Sequence, residues 1–148
     1  MSEKSNQEVV EQYVRAYVEE DLDTQDRLRH PDFVQEWPQS GERIRGLANA
    51  RAIPEHYPGG LEGGRIDKKA LHGNEDRWVV TPVGTLLRIT GSGDVYTALF
   101  TAIYPGDSRP WHIAAFIELR DGKIVKETAI FGAPLDAPAW RAQWVERM

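Results

Sequence analysis

Glu127 and His112 are the residues of this sequence best suited to move a proton. Each lies in a stretch rich in β-branched and aromatic residues, Lys123 to Phe131 for the glutamate and Trp111 to Arg120 for the histidine. Both are therefore expected on strands. A carboxylate in an apolar hollow loses solvation, its pKa rises, and it becomes a usable general base. An imidazole beside it serves as acid, base or donor to a developing oxyanion. Asp121-Gly122, between the two stretches, is a two-residue hairpin signal. Regular pairing from that turn sets Leu119 opposite Ile124, Phe116 opposite Glu127, Ala114 opposite Ala129 and His112 opposite Phe131. Strand alternation then puts His112, Ala114, Phe116, Glu118, Val125, Glu127, Ala129 and Phe131 on one face. Ile113, Ile117, Leu119 and Ile130 fall on the other, where they offer an apolar surface to a second copy of the chain. Apolar walls with a few ionisable groups are what a ligand pocket needs, so Phe116 and Phe131 are expected to touch a ligand. A bulge in either strand would shift this register.

Other chemistries find less support. There is no cysteine, which excludes thiolate metal sites, disulfides and a cysteine nucleophile. His30, His56 and His72 are dispersed and no His-Glu-x-x-His spacing exists, so no metal is expected. Gly91 and Gly93 do not continue into a dinucleotide fingerprint, because Tyr96 holds the third glycine's place. No organic cofactor is expected. Arg43, Arg45 and Arg51 could receive an anion; pairing with the acidic first helix or with solvent is the plainer role.

The elements that must position these groups are legible in outline. Ser5 and Glu8 have capping-box spacing, and Val9, Tyr13, Ala16 and Tyr17 recur at helical intervals, with Val10, Val14 and Val18 widening the stripe. This helix is expected to end near Asp21. A short one follows over Thr24 to Arg29, broken by His30-Pro31-Asp32. Short extended pieces flank Pro38-Gln39-Ser40-Gly41, and a third helix is expected from about Leu47 to Tyr57, ended by Pro58-Gly59-Gly60. Gly59 to Gly64 reads as a loop. Trp78 to Thr90, Val95 to Tyr104, Trp111 to Arg120 and Lys123 to Phe131 read as strands. Turns are expected at Gly91 to Asp94 and Pro105 to Ser108, and a last helix at Asp136 and Pro138. Trp140 and Trp144 on it are expected to clamp it over the barrel mouth or onto a second subunit. Helices first and a strand meander after them indicate an α+β fold, with helices on one face of a curved antiparallel sheet.

The chain has 148 residues, 41% of them hydrophobic, with a formal net charge of −5. That length suits one domain over residues 1–148, and the acidic balance speaks against nucleic acid. No apolar run approaches a membrane span, and the polar start lacks a signal-peptide core, so a cytoplasmic, membrane-free location is expected.

Taken in order, the amphipathic first helix, the segment Trp37 to Gly46, the hairpin Arg120-Asp121-Gly122-Lys123-Ile124-Val125 and the tail Ala137 to Trp144 resemble the SnoaL-like branch of the nuclear transport factor 2-like superfamily. The resemblance covers essentially the whole chain. It implies a cone-shaped α+β barrel, a curved antiparallel sheet wrapped around N-terminal helices and leaving an open cavity, with a C-terminal helix. It implies a cofactor-free isomerase, cyclase or hydrolase acting on an apolar oxygenated metabolite, as in polyketide cyclases, ketosteroid isomerase, scytalone dehydratase and limonene epoxide hydrolase. Non-catalytic binding and dimerisation modules share the fold, so a non-catalytic ligand-binding or dimerisation module is the alternative, and a homodimer is expected. In the resemblance, Tyr13, Tyr17, Trp37 and Tyr57 border the cavity. The chain departs at one point: the acid/base aspartate of the cyclases corresponds to Ala129, which moves no proton. Glu127, two residues earlier, is the substitute on the same side.

Overall fold

The computed structural model describes residues 4–57, 71–72, 79–80, 84–103 and 109–148. Helix α1 (Asn6–Val18) starts at a capping box, with the Ser5 side chain accepting from the Glu8 amide and Glu8 reaching back to the Ser5 backbone. Asp21 caps α2 (Leu22–Leu28) through Thr24, so the acidic run after α1 divides into a C-cap region and a new N-cap. The third helix, α3 (Gly46–Glu55), keeps Pro54 in its last turn. The expected Gly59 to Gly64 loop and the Pro105 to Ser108 turn lie outside the described residues, as do Pro58, Trp78 and Tyr104.

Among the described residues eight strands form one sheet: β1 (Arg29–Trp37), β2 (Glu42–Arg45), β3 (Leu71–His72), β4 (Val79–Val80), β5 (Gly84–Ser92), β6 (Val95–Ala102), β7 (Trp111–Arg120) and β8 (Lys123–Gly132). Their order is β2-β1-β8-β7-β6-β5-β4-β3. The meander is antiparallel as expected, but β1 joins β8 in parallel. Helix α2 ends before His30-Pro31-Asp32 as expected, and these residues sit inside β1, where the pairing with β8 is irregular between Arg29 and Val34. Further register shifts occur between Leu86 and Arg88 of β5 and between Glu118 and Leu119 of β7. Such irregularities bend a strand and increase its twist.

Helix α1 lies in the concave face. Val9, Val10, Tyr13, Val14 and Val18 pack with Phe33, Ile44, Leu86, Tyr96, Phe100, Ile117 and Ile124 in one core. Asn6 ties the start of α1 to the β5–β6 turn, donating to Gly93 O at 2.8 Å and to Asp94 Oδ1 at 2.9 Å. Gly91 is required there: at φ +134° a Cβ would lie 2.3 Å from Val95 O.

The C-terminal helix differs from expectation. It is a 3-10 helix, Ala139–Trp144, without a side-chain cap; Asp136 instead pairs with Arg109 at 3.3 Å. Trp140 and Trp144 are 73% and 72% exposed, so they clamp nothing among the described residues.

Candidate functional site

The β7–β8 hairpin turn is the predicted one, with Asp121 and Gly122 both at positive φ and Arg120 paired to Lys123. Beyond Leu119–Ile124 the regular register fails. Glu118 pairs with Lys126, so Val125 is an extra residue on β8, and Glu127 then faces Ile117 rather than Phe116. Ala115 pairs with Ala129 and Ile113 with Phe131, while His112 pairs with Gly132. The bulge leaves Glu127, Ala129 and Phe131 on the concave side but joins them to Ile113, Ala115, Ile117 and Leu119. His112 and Phe116 are exposed on the convex side, separated from Glu127 by the sheet. The outer surface offered to a second copy is corrected likewise: Ile113, Ile117 and Leu119 are core, and of that set only Ile130 remains outside.

On the concave side a buried polar chain runs from helix to sheet. Tyr13 donates to Glu127 Oε2 at 2.5 Å. Arg29 donates to the same phenolic oxygen from Nε at 3.2 Å and from Nη2 at 3.1 Å, and Nη2 also reaches Gln25 Oε1 at 3.3 Å. Gln25 in turn donates to Ala16 O at 3.1 Å. Glu127 and Arg29 are only 2% and 3% exposed. The guanidinium lies 4.5 Å over the Phe33 ring and 5.5 Å from the Tyr13 ring centroid, and Asp26, partly exposed, sits 3.7 Å from it. Burial pushes the Glu127 carboxyl above its ordinary range, against the opposing pull of the Tyr13 hydrogen bond and the Arg29 charge. Burial, then the neighbouring Glu127, holds the Tyr13 phenol well above its usual range, so it stays a proton donor at neutral pH.

Sequence reasoning found Glu127 and Tyr13 but not Arg29 or Gln25. The available signal was their i, i+4 spacing on the end of α2; the parallel docking of β1 that buries them had none.

Three concave rows lead outward from this chain. The deepest holds Gln35, Glu127, Ile117 and Tyr96. The next is small, Ala129, Ala115 and Ala98 on adjacent strands, with Trp37 one residue beyond the Glu36–Thr128 pair. The outermost is Phe131, Ile113, Phe100 and Leu86. Tyr17 stacks on Phe100 at 6.0 Å, and Trp37 meets Phe131 edge-on at 6.0 Å. Gln39 holds the Phe131 main chain, donating to its carbonyl at 2.6 Å and accepting from its amide at 2.5 Å. Tyr57 is half-buried just past α3. Thus Tyr13, Tyr17, Trp37 and Phe131 gather around the concave side with Glu127, and His112 and Phe116 do not.

The basic group serves pairing. Arg51 bridges Asp23, Asp26 and Glu55 at 2.8 Å each, and Arg43 meets Glu36 at 3.2 Å. The partners lie on α2, α3 and β1 instead of the first helix. Arg43 and Arg45 also border an open convex groove of about 440 Å³, shared with Asp32, Glu36, Arg120 and Lys126. Among the described residues no cluster of three or more potential metal ligands occurs, and no helix is long and apolar enough to cross a membrane.

The profile of the SnoaL-like domain matches residues 10–127. This chain is a member of the SnoaL-like family. Its fold is the nuclear transport factor 2-like cone. An NTF-2 like protein of unknown function from Burkholderia xenovorans LB400 is 28% identical, with a TM-score of 0.69 over 97% of this chain and 94% of that one. A protein from Kribbella flavida DSM 17836, provisionally assigned as a ketosteroid isomerase, is 20% identical, with a TM-score of 0.71 over 97% and 89%. An LEH-like epoxide hydrolase of M. tuberculosis is 19% identical, with a TM-score of 0.55 over 84% and 80%. Among curated proteins, none matches this sequence. A shared fold does not assign an activity, so the site must.

Proposed function

We propose that this SnoaL-like protein binds a small, largely apolar, oxygenated molecule on its concave side, and that Glu127 performs cofactor-free acid/base chemistry on it. The carrying observation is the buried Glu127 carboxylate held by one phenol, itself backed by Arg29. A base so desolvated takes a proton from carbon next to a carbonyl, or from water, and returns it to the product. His112 lies on the opposite side of the sheet, so stabilisation of a developing oxyanion falls to a tyrosine of α1. Tyr17, one turn beyond Tyr13 and stacked on Phe100, is the residue for that role.

Deuterium exchange tests the base. The methyl protons of 2-acetylnaphthalene, a flat apolar ketone, are followed in D2O with wild type and Glu127→Gln. Enzyme-accelerated exchange is expected to fall by about 100-fold or more in the variant. Equal exchange by both proteins removes Glu127 as the base.

The second reading is a binding module without chemistry. It is favoured by Ala129, which is buried on the concave side where the cyclases carry their aspartate. In that case the ketone binds and its methyl protons never exchange faster than in buffer. Either reading includes a homodimer, supported by Leu99 and Phe116, 40% and 44% exposed on the convex face. A monomer in sedimentation at micromolar concentration removes the dimer.

A further inference from the structure

Three buried side-chain polar atoms lack a hydrogen-bond partner among the described residues: Glu20 Oε1, Asp26 Oδ1 and Trp37 Nε1. The first two belong to carboxylates with other engagements. Asp26 Oδ2 accepts from Arg51 at 2.8 Å, and Asp26 Oδ1 faces the Arg29 cation at 3.7 Å; Glu20 has an interaction of its own. Trp37 has no such alternative, because an indole carries one donor and nothing else polar. A buried N–H without an acceptor costs about 1–3 kcal/mol relative to a satisfied one. Native structures keep few such groups, and each one asks for a use.

The position of Trp37 supplies the use. It lies near the alanine row, where Ala129, Ala115 and Ala98 leave the concave face without large side chains. It stands between the Glu127 level and the aromatic rim. Its edge-on neighbour is Phe131, a half-buried ring whose main chain is fixed at both N–H and C=O by Gln39. The ring can therefore turn aside while the strand keeps its place. A ligand that displaces it comes against the Trp37 indole.

We infer that the Trp37 indole N–H is the recognition donor of the concave site, selecting ligands that carry a carbonyl or ether oxygen over hydrocarbons of the same shape. The inference rests on the binding reading above and adds the chemical class that the site selects. It does not require Glu127 to be catalytic. The donor holds the oxygen, and the apolar remainder of the ligand takes the place of the Phe131 ring.

Indole N–H resonances of 15N-labelled protein test it directly. The Trp37 signal is assigned by its loss in Trp37→Phe, or through its Overhauser contact to Phe131 if that variant does not fold. 2-Acetylnaphthalene is expected to move this signal downfield of its position with 2-ethylnaphthalene, which displaces Phe131 alike but lacks the acceptor. Trp37→Phe is expected to weaken the ketone about fivefold to tenfold, the size of one net hydrogen bond, and the hydrocarbon less than twofold. A ketone that saturates the protein without moving the Trp37 signal overturns the donor role and leaves the binding reading standing. So does an equal loss for both compounds in Trp37→Phe. If neither compound binds wild type, the concave binding reading falls and the donor role with it.

Discussion

Strands β1 and β8 carry charge on both sides of the sheet, with different consequences. On the convex side, Lys126 meets Glu36 at 2.8 Å and Glu118 at 3.9 Å, Arg43 meets Glu36 at 3.2 Å, and Arg120 meets Asp32 at 2.6 Å. Water reaches all of these groups, and each cation has an anion directly opposite. On the concave side, Arg29 and Glu127 are as deeply buried as the core valines, and the hydrogen bonds that join them run through the oxygen of Tyr13. Solvent shares the work outside, so any one partner is dispensable. Inside, every lost partner leaves a stranded donor or acceptor. Similar residue types thus give a forgiving surface and an exacting interior, and the interior holds the carboxyl whose acidity burial weakens.

The sharpest way to break this contrast is Arg29→Met. It strands the Tyr13 oxygen and Gln25 and removes the cation stacked on Phe33, with an expected loss of about 3 kcal/mol in denaturant unfolding. Tyr13→Phe should cost less, about 1–3 kcal/mol. It should also push the Glu127 pKa higher still, because the phenol's hydrogen bond lowers it; the carboxyl 13C resonance reports that shift. The Glu127 titration itself gives a third test. Its folded pKa lies above the ordinary value of 4.5, so the folded state keeps the proton longer than the unfolded chain does. Stability should fall as pH rises from about 4.5 through the folded pKa and then level off. Glu127→Gln should lack this slope. Asp21 and Glu36, whose pKa values are lowered by Thr24 and by Lys126 with Arg43, act in the opposite sense, losing their contribution as pH falls. Smallest of all, Lys126→Ala should leave the unfolding midpoint within experimental error at physiological salt. A large loss there would show that the convex pairs act as a network.

What the sequence disclosed follows the range of the interactions concerned. The Ser5–Glu8 capping box and the Asp121-Gly122 turn are set by neighbours in the chain, and both formed as read. Strand β7 kept its expected bounds for the same reason. The inward aim of Glu127 also held. Its partners did not, because the bulge at Val125 carries no local mark: Ile124, Val125 and Lys126 read as three ordinary strand residues. Arg29 was assigned to a helix end, since its burial depends on β1 docking alongside a strand almost a hundred positions later. The Trp37–Phe131 contact was invisible for a like reason, although both residues had been named for the cavity.

The extra residue at Val125 reaches beyond bookkeeping of pairs. Ile124 is fully buried and Glu127 nearly so, with Val125 and Lys126 between them. Excising Val125 would restore simple alternation without turning Glu127, Ala129 or Phe131 around. What it would remove is the kink. Chain length at this one spot therefore acts as a dial on how deeply the bowl is dished, while the identity of the lining stays untouched.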